Sequence, residues 1–165
     1  MSRIPYPINI AAAPDASQPL LQAVEKQLGS VPNLFRLASV SPAALEGYLS
    51  LSGALGKGRL PAATRERVAL AMAQANDEAE IAANRAGRSN DAKADAAVRF
   101  AIKVVDARGR VAVEDLRDVR EAGYDDGQII EIVQHVALNV WTNYLNELAQ
   151  TEIDFPVVAS TEIAA

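Results

Sequence analysis

The stretch LPAATRERVALAMAQAN (residues 60–76) runs without interruption into DEAEIAANRAGRSN (77–90). Pro61 sits where a helix can begin, because its missing N–H would have no intrahelical partner there. Apolar residues then recur at Val68, Met72, Ala75, Ala79, Ala82 and Ala86, in steps of three and four, the spacing of one helix face. No glycine or proline lies between Pro61 and Gly87. The pattern predicts one continuous helix over 62–86, crossing the junction of Asn76 with Asp77 without a phase slip.

Helical signals continue on both sides. Residues 1–19 hold Pro5, Pro7, Pro14 and Pro19 and read as an extended N-terminal arm. A short amphipathic helix over 20–28 ends at Gly29. Ser41 and Pro42 form a helix start, with serine as cap and proline at the first turn, and that helix runs to about Leu55. Ser89 or Asn90 caps a helix reaching about Ala107, with Val98, Ile102 and Val105 facing inward. A short helix over 114–121 stops at Gly123, and a long one covers 125–150. No segment alternates with the period of a strand. The expectation is an all-α, single-domain helical bundle spanning 1–165.

Composition narrows the function. The chain has 165 residues, a net charge of −5 and no cysteine. Its basic residues are scattered, whereas a nucleic-acid footprint needs a basic stripe. Without thiols there is no disulfide, no thiolate nucleophile and no Cys-ligated zinc. The first residues, MSRIPYPINI, lack the apolar run of a signal peptide, and no stretch is long enough to span a bilayer. A cytoplasmic protein with no membrane and no nucleic-acid partner is expected.

The residues that can carry chemistry are few. Residues 132–146 contain no charge, so the last helix is apolar nearly all round and belongs in a core or an interface. Left in water, it would expose a large apolar patch, which makes it the expected surface for a homo-oligomer. Along it His135, Asn139, Thr142 or Asn143, and Asn146 form a polar stripe. Buried polar groups need hydrogen-bond partners, so this stripe either closes a seam or lines a pocket. Glu66, between Arg65 and Arg67, suits a first helical turn on dipole grounds alone. His135 is the only histidine, too little for a transition-metal site, and no serine elbow accompanies it. No metal and no cofactor is expected. Gly53, Gly56, Lys57 and Gly58 lack the spacing and the Ser or Thr of a phosphate loop and read as an ordinary turn. Trp141 and Tyr144 read as core or interface aromatics.

In five segments taken in order, the chain resembles the alkylhydroperoxidase D-like / carboxymuconolactone decarboxylase family. They are SVPNLFRLASVSPAALEGYLSLSGAL (30–55), RERVALAMAQAN with Glu66, DEAEIAANRAGRSN, DAAVRFAIKVVDARGRV, and the C-terminal half containing His135, Asn139 and Asn143. The resemblance implies a peroxiredoxin-type peroxidase that reduces alkyl hydroperoxides in antioxidant defence, recharged by a dithiol reductant protein, and oligomeric. In that reading Glu66 and His135 are catalytic, with Glu66 taking a proton from a thiol, and Asn139 and Asn143 line the pocket or interface. The family's Gly-Cys-x-x-Cys segment, expected between Asn76 and Asp77, is absent. Counted from Glu66, its cysteines would fall at Glu78 and Ile81. Two alternatives follow: a non-catalytic, cysteine-free scaffold or ligand-binding protein, and lactone decarboxylation with His135 as acid or base. A thiol titration under denaturing conditions is expected to read zero; any titrable thiol would mean a chain different from this sequence.

Overall fold

The computed structural model describes residues 2–74, 91–152 and 154. Among these there are seven α-helices and no strand: α1 (Gln18–Leu28), α2 (Asn33–Ala38), α3 (Pro42–Gly56), α4 (Ala62–Gln74), α5 (Ala92–Asp106), α6 (Val113–Glu121) and α7 (Asp126–Ala149). The expected all-α class holds. The junction of Asn76 with Asp77, and with it the continuous helix expected over 62–86, lies outside the described residues, as do Glu78, Ile81, Arg85 and Arg88.

The helices start and stop largely where local chemistry directs. Gly29 ends α1 at φ +78° and Gly123 follows α6 at φ +91°, conformations that cost a glycine little. The cap of α5 differs from the expected Ser89 or Asn90. Asp91 holds that position, its carboxylate accepting from the backbone N–H groups of Lys93 at 3.1 Å and Ala94 at 3.0 Å. The first nineteen residues are also not extended throughout. A 3-10 turn spans Ile10–Ala12, capped by the Asn9 side chain, and α1 already begins at Gln18.

The chain divides into two compact units. One comprises residues 1–48 and 145–165, the other residues 49–144. In the first, Leu21, Val24, Leu37 and Leu45 are buried. The buried Ser17 hydroxyl donates to the Ser39 carbonyl at 2.7 Å. The end of α7 is tied to the chain's beginning: the Ala149 carbonyl accepts from the Ser2 hydroxyl at 2.8 Å and the Arg3 N–H at 2.7 Å. Asn33 meets the other end as well, its N–H donating to Asp154 and its side-chain amide to the Glu152 carbonyl.

The second unit has the larger core, built from Val68 and Met72 of α4, Ala97, Phe100, Ala101 and Val104 of α5, Val119 of α6, Tyr124, and Ile129, Ile132 and Val136 of α7. The inward face of α5 is rotated from expectation. Val98, Ile102 and Val105 are only partly buried at its flanks, while Ala94, Ala97 and Ala101 are almost fully enclosed. Small side chains at the centre of the contact let helix backbones approach closely, Phe100 and Val104 fill the core beside them, and Val98, Ile102 and Val105 are left to the edges.

Two contacts fix how α4 lies against α7. Glu131 accepts from the Leu60 N–H at 3.0 Å, and the Asn143 amide donates to the Met72 carbonyl at 2.9 Å. Twelve residues separate the two contact points on each strand of chain, so α4 and α7 run side by side in parallel. Replacing Ile132, which has no exposed surface, by alanine should cost roughly 2–5 kcal/mol of stability. Asp91→Ala, which removes a helix cap, should cost about 1 kcal/mol. Urea denaturation of both variants checks the ordering.

Candidate functional site

Of the candidate residues, Asn143 bridges α7 to α4, His135 is buried on α7, and Glu66 is exposed on α4. The lower end of the seam between α4 and α7 is the turn before α4. There the Glu131 carboxylate accepts from the Arg59 N–H at 2.8 and 3.1 Å and from the Leu60 N–H at 3.0 Å. These N–H groups lie just ahead of a helix start, where donors without intrahelical partners collect and negative charge is favoured. Gly58 makes room for the carboxylate: a Cβ there would stand 2.6 Å from a Glu131 oxygen. Gly58 therefore serves an approach between two parts of the protein, whereas a Cβ at Gly53 or Gly56 would meet nothing within 4 Å.

One turn along α7, at the i+4 position from Glu131, lies His135, 7% exposed. Its Nε2 is buried without a hydrogen-bond partner among the described residues. Burial pushes the imidazole below its ordinary value; the positive charge of Arg65 adds to that, and the negative charge of Glu131 opposes it. Arg65 is held in place, its guanidinium donating to the Leu60 carbonyl at 2.9 Å. The site therefore holds a neutral imidazole between a fixed cation and a carboxylate engaged elsewhere.

The asparagine stripe closes on backbone. Asn139 donates to the His135 carbonyl at 2.7 Å, Thr142 to the Asn139 carbonyl at 2.9 Å, and Asn143 crosses to Met72. In this structure Asn139 and Asn143 thus serve seam hydrogen bonding. Glu66 is exposed. Adjacent residues on a helix point about 100° apart, so Arg65 turns into the seam while Glu66 turns to solvent. No hydrogen bond joins Glu66 to His135.

A second polar group flanks the seam. Thr64 and Tyr124 are buried at 3% and 2% exposure. The Tyr124 hydroxyl lies near Thr64 but makes no well-aligned hydrogen bond. Burial raises its pKa, Asp91 raises it further, and Thr64 and Arg67 act in the opposite direction. Lys93 lies over the Tyr124 ring, 4.7 Å from its centroid, and donates to the Gly123 carbonyl. Arg67 pairs with Asp95. Sequence reasoning missed Thr64, Arg65, Tyr124 and Glu131. Only Glu131 left a usable signal, as the last charge before the uncharged run.

No group of three or more His, Asp or Glu is gathered as a metal site among the described residues. No described helix is long and apolar enough to cross a membrane. On α7, Ile130, Val133, Tyr144 and Leu148 are exposed, at 41–63%.

No family model matches the sequence, and no curated protein matches it. Among the solved structures similar to this chain are two peroxidase-related proteins. One is described as an alkylhydroperoxidase AhpD core, an uncharacterized peroxidase-related protein from Ralstonia eutropha JMP134. It is 23% identical with a TM-score of 0.81, over 93% of this chain and 92% of that one. The other is an uncharacterized peroxidase-related protein from Silicibacter sp. TM1040, 19% identical with a TM-score of 0.76 over the same shares. At these identities the likeness establishes architecture, and this chain has the all-helical AhpD-like fold of those peroxidase-related proteins.

Proposed function

We propose that this chain is a cysteine-free, peroxidase-related protein of the AhpD fold that keeps the helical scaffold for assembly or ligand binding and carries out no thiol turnover. The observation that carries this reading is the absence of cysteine from all 165 residues. Thiol-based peroxide reduction begins when a thiolate attacks the peroxide and becomes a sulfenic acid, which a second thiol then resolves. The chain supplies neither partner. Of its two methionines, Met72 is 2% exposed. Dithiol-driven reduction of an organic hydroperoxide should not exceed the buffer rate; turnover that requires the protein and survives metal removal would overturn the reading.

The junction of Asn76 with Asp77 favours a second reading, in which the scaffold belongs to a peroxiredoxin-type alkyl hydroperoxide reductase of antioxidant defence that needs a thiol-bearing segment at that point. Glu66, exposed on α4 and free of hydrogen bonds to described groups, is available to such a segment. Insertion of a Gly-Cys-x-x-Cys-containing segment between Asn76 and Asp77 should then confer dithiol-dependent turnover that Glu66→Gln depresses. Inactivity of a folded insertion variant would count against this reading alone. Lactone decarboxylation with His135 as acid or base is the weaker alternative: the imidazole is 7% exposed and its Nε2 is buried.

The working form in this reading is a cytoplasmic homo-oligomer in contact through α7. The exposed apolar residues Ile130, Val133, Tyr144 and Leu148 recur at helical spacing and fall on one face. Val133→Glu combined with Tyr144→Glu should lower the mass measured by light scattering without unfolding the chain. A monomer in the unmodified protein would remove this part of the proposal.

A further inference from the structure

Glu131 and His135 stand one helical turn apart, at the spacing where side chains on a helix meet. Their commitments differ. The Glu131 carboxylate is engaged with the N–H groups of Arg59 and Leu60, holding the turn that leads into α4. The His135 Nε2 is buried with no partner among the described residues. Arg65 comes from α4 and is pinned to the Leu60 carbonyl. From α5 the core receives Ala97, Phe100, Ala101 and Val104, and from α6 Val119, none of them charged. Among the described residues, the charges acting on the imidazole are thus Arg65 of α4 and Glu131 of α7.

We propose that Glu131 is a proton-operated latch: with His135 neutral it clasps the turn before α4, and with His135 protonated it shifts to the imidazolium and lets that turn go. A buried imidazolium under the influence of the Arg65 charge needs a counter-charge, and Glu131 is the described carboxylate one helical turn away on the same helix. Taking it leaves the Arg59 and Leu60 N–H groups without their acceptor. The leading turn of α4, which carries Arg65 and Glu66 into position, then loosens. Gly58 keeps the clasped position open.

The direction with pH follows from the burial and the Arg65 charge that hold the folded imidazole below its ordinary value. An opened or unfolded chain takes up a proton near the ordinary value of about 6.5. The clasped state is therefore fully favoured above about 6.5 and loses ground as the pH falls below it. His135 is the chain's only histidine and there is no cysteine, so no other side chain titrates in this window at its ordinary value.

Amide hydrogen exchange at Arg59 and Leu60, corrected for intrinsic rates and followed by NMR on the full chain at about pH 7.5 and about pH 5.5, on either side of the ordinary imidazole value, tests the latch. The unmodified protein should lose protection at these two amides on acidification while amides in the middle of α5 keep theirs. His135→Gln, which takes up no proton there, and Glu131→Gln, which keeps an acceptor oxygen but has no charge to offer an imidazolium, should show no such loss. Protection that stays constant in the unmodified protein, or falls equally in His135→Gln, overturns the proposal. So does an imidazole C2–H resonance that titrates at the ordinary value while both amides stay protected.

Discussion

The second unit depends on one carboxylate. Glu131 sits at the edge of an uncharged helix and closes the gap between α7 and the turn ahead of α4. Buried or half-buried donors at a helix start must find an acceptor, and here that acceptor comes from a residue 71 positions from Leu60 in the chain rather than from a local cap. This fixes where α4 begins along α7, and the Asn143 bond to Met72 fixes the same register further on. With register set at two points, the apolar residues between them, Val68 and Met72 against Ile132 and Val136, meet as a packed core.

That arrangement separates residues that sequence order places together. Arg65, Glu66 and Arg67 are consecutive, yet one enters the seam, one faces solvent and one pairs with Asp95 on α5. The family resemblance points to Glu66 as a proton acceptor. The folded chain instead puts Arg65, whose charge is permanent, beside the imidazole. A scaffold that shares its fold with peroxidase-related proteins here holds a buried imidazole whose charged neighbours among the described residues are Arg65 and Glu131.

Much of the fold was legible because its signals are local. Pro42, Pro61, Gly29 and Gly123 punctuate helices through backbone constraints that need no tertiary information, and the uncharged run over 132–146 marks α7 by itself. The rotation of α5 was not legible, since periodicity alone prefers Val98, Ile102 and Val105 over alanines as the inward face. Packing prefers Ala94, Ala97 and Ala101, whose small size lets the neighbouring helices close up. The site was legible only in part. His135, Asn139 and Asn143 stood out as polar groups in an apolar helix, but their partners are backbone carbonyls and a long-range carboxylate, which no spacing rule identifies. Gly58 shows the same limit, as its role exists only once Glu131 has arrived.

The tie between the Ala149 carbonyl and Ser2 and Arg3 bears on the order in which the protein takes shape during synthesis. Residues 49–144 form a continuous compact unit and can collapse as soon as they leave the ribosome, because all their mutual contacts are already in hand. The unit containing residues 1–48 must wait for residues 145 onward, so residues made before the continuous unit are completed after it. Through that interval Ser2, Arg3 and Asn33 lack the acceptors that Ala149, Glu152 and Asp154 supply, and incompletely folded nascent segments are the ones that chaperones engage.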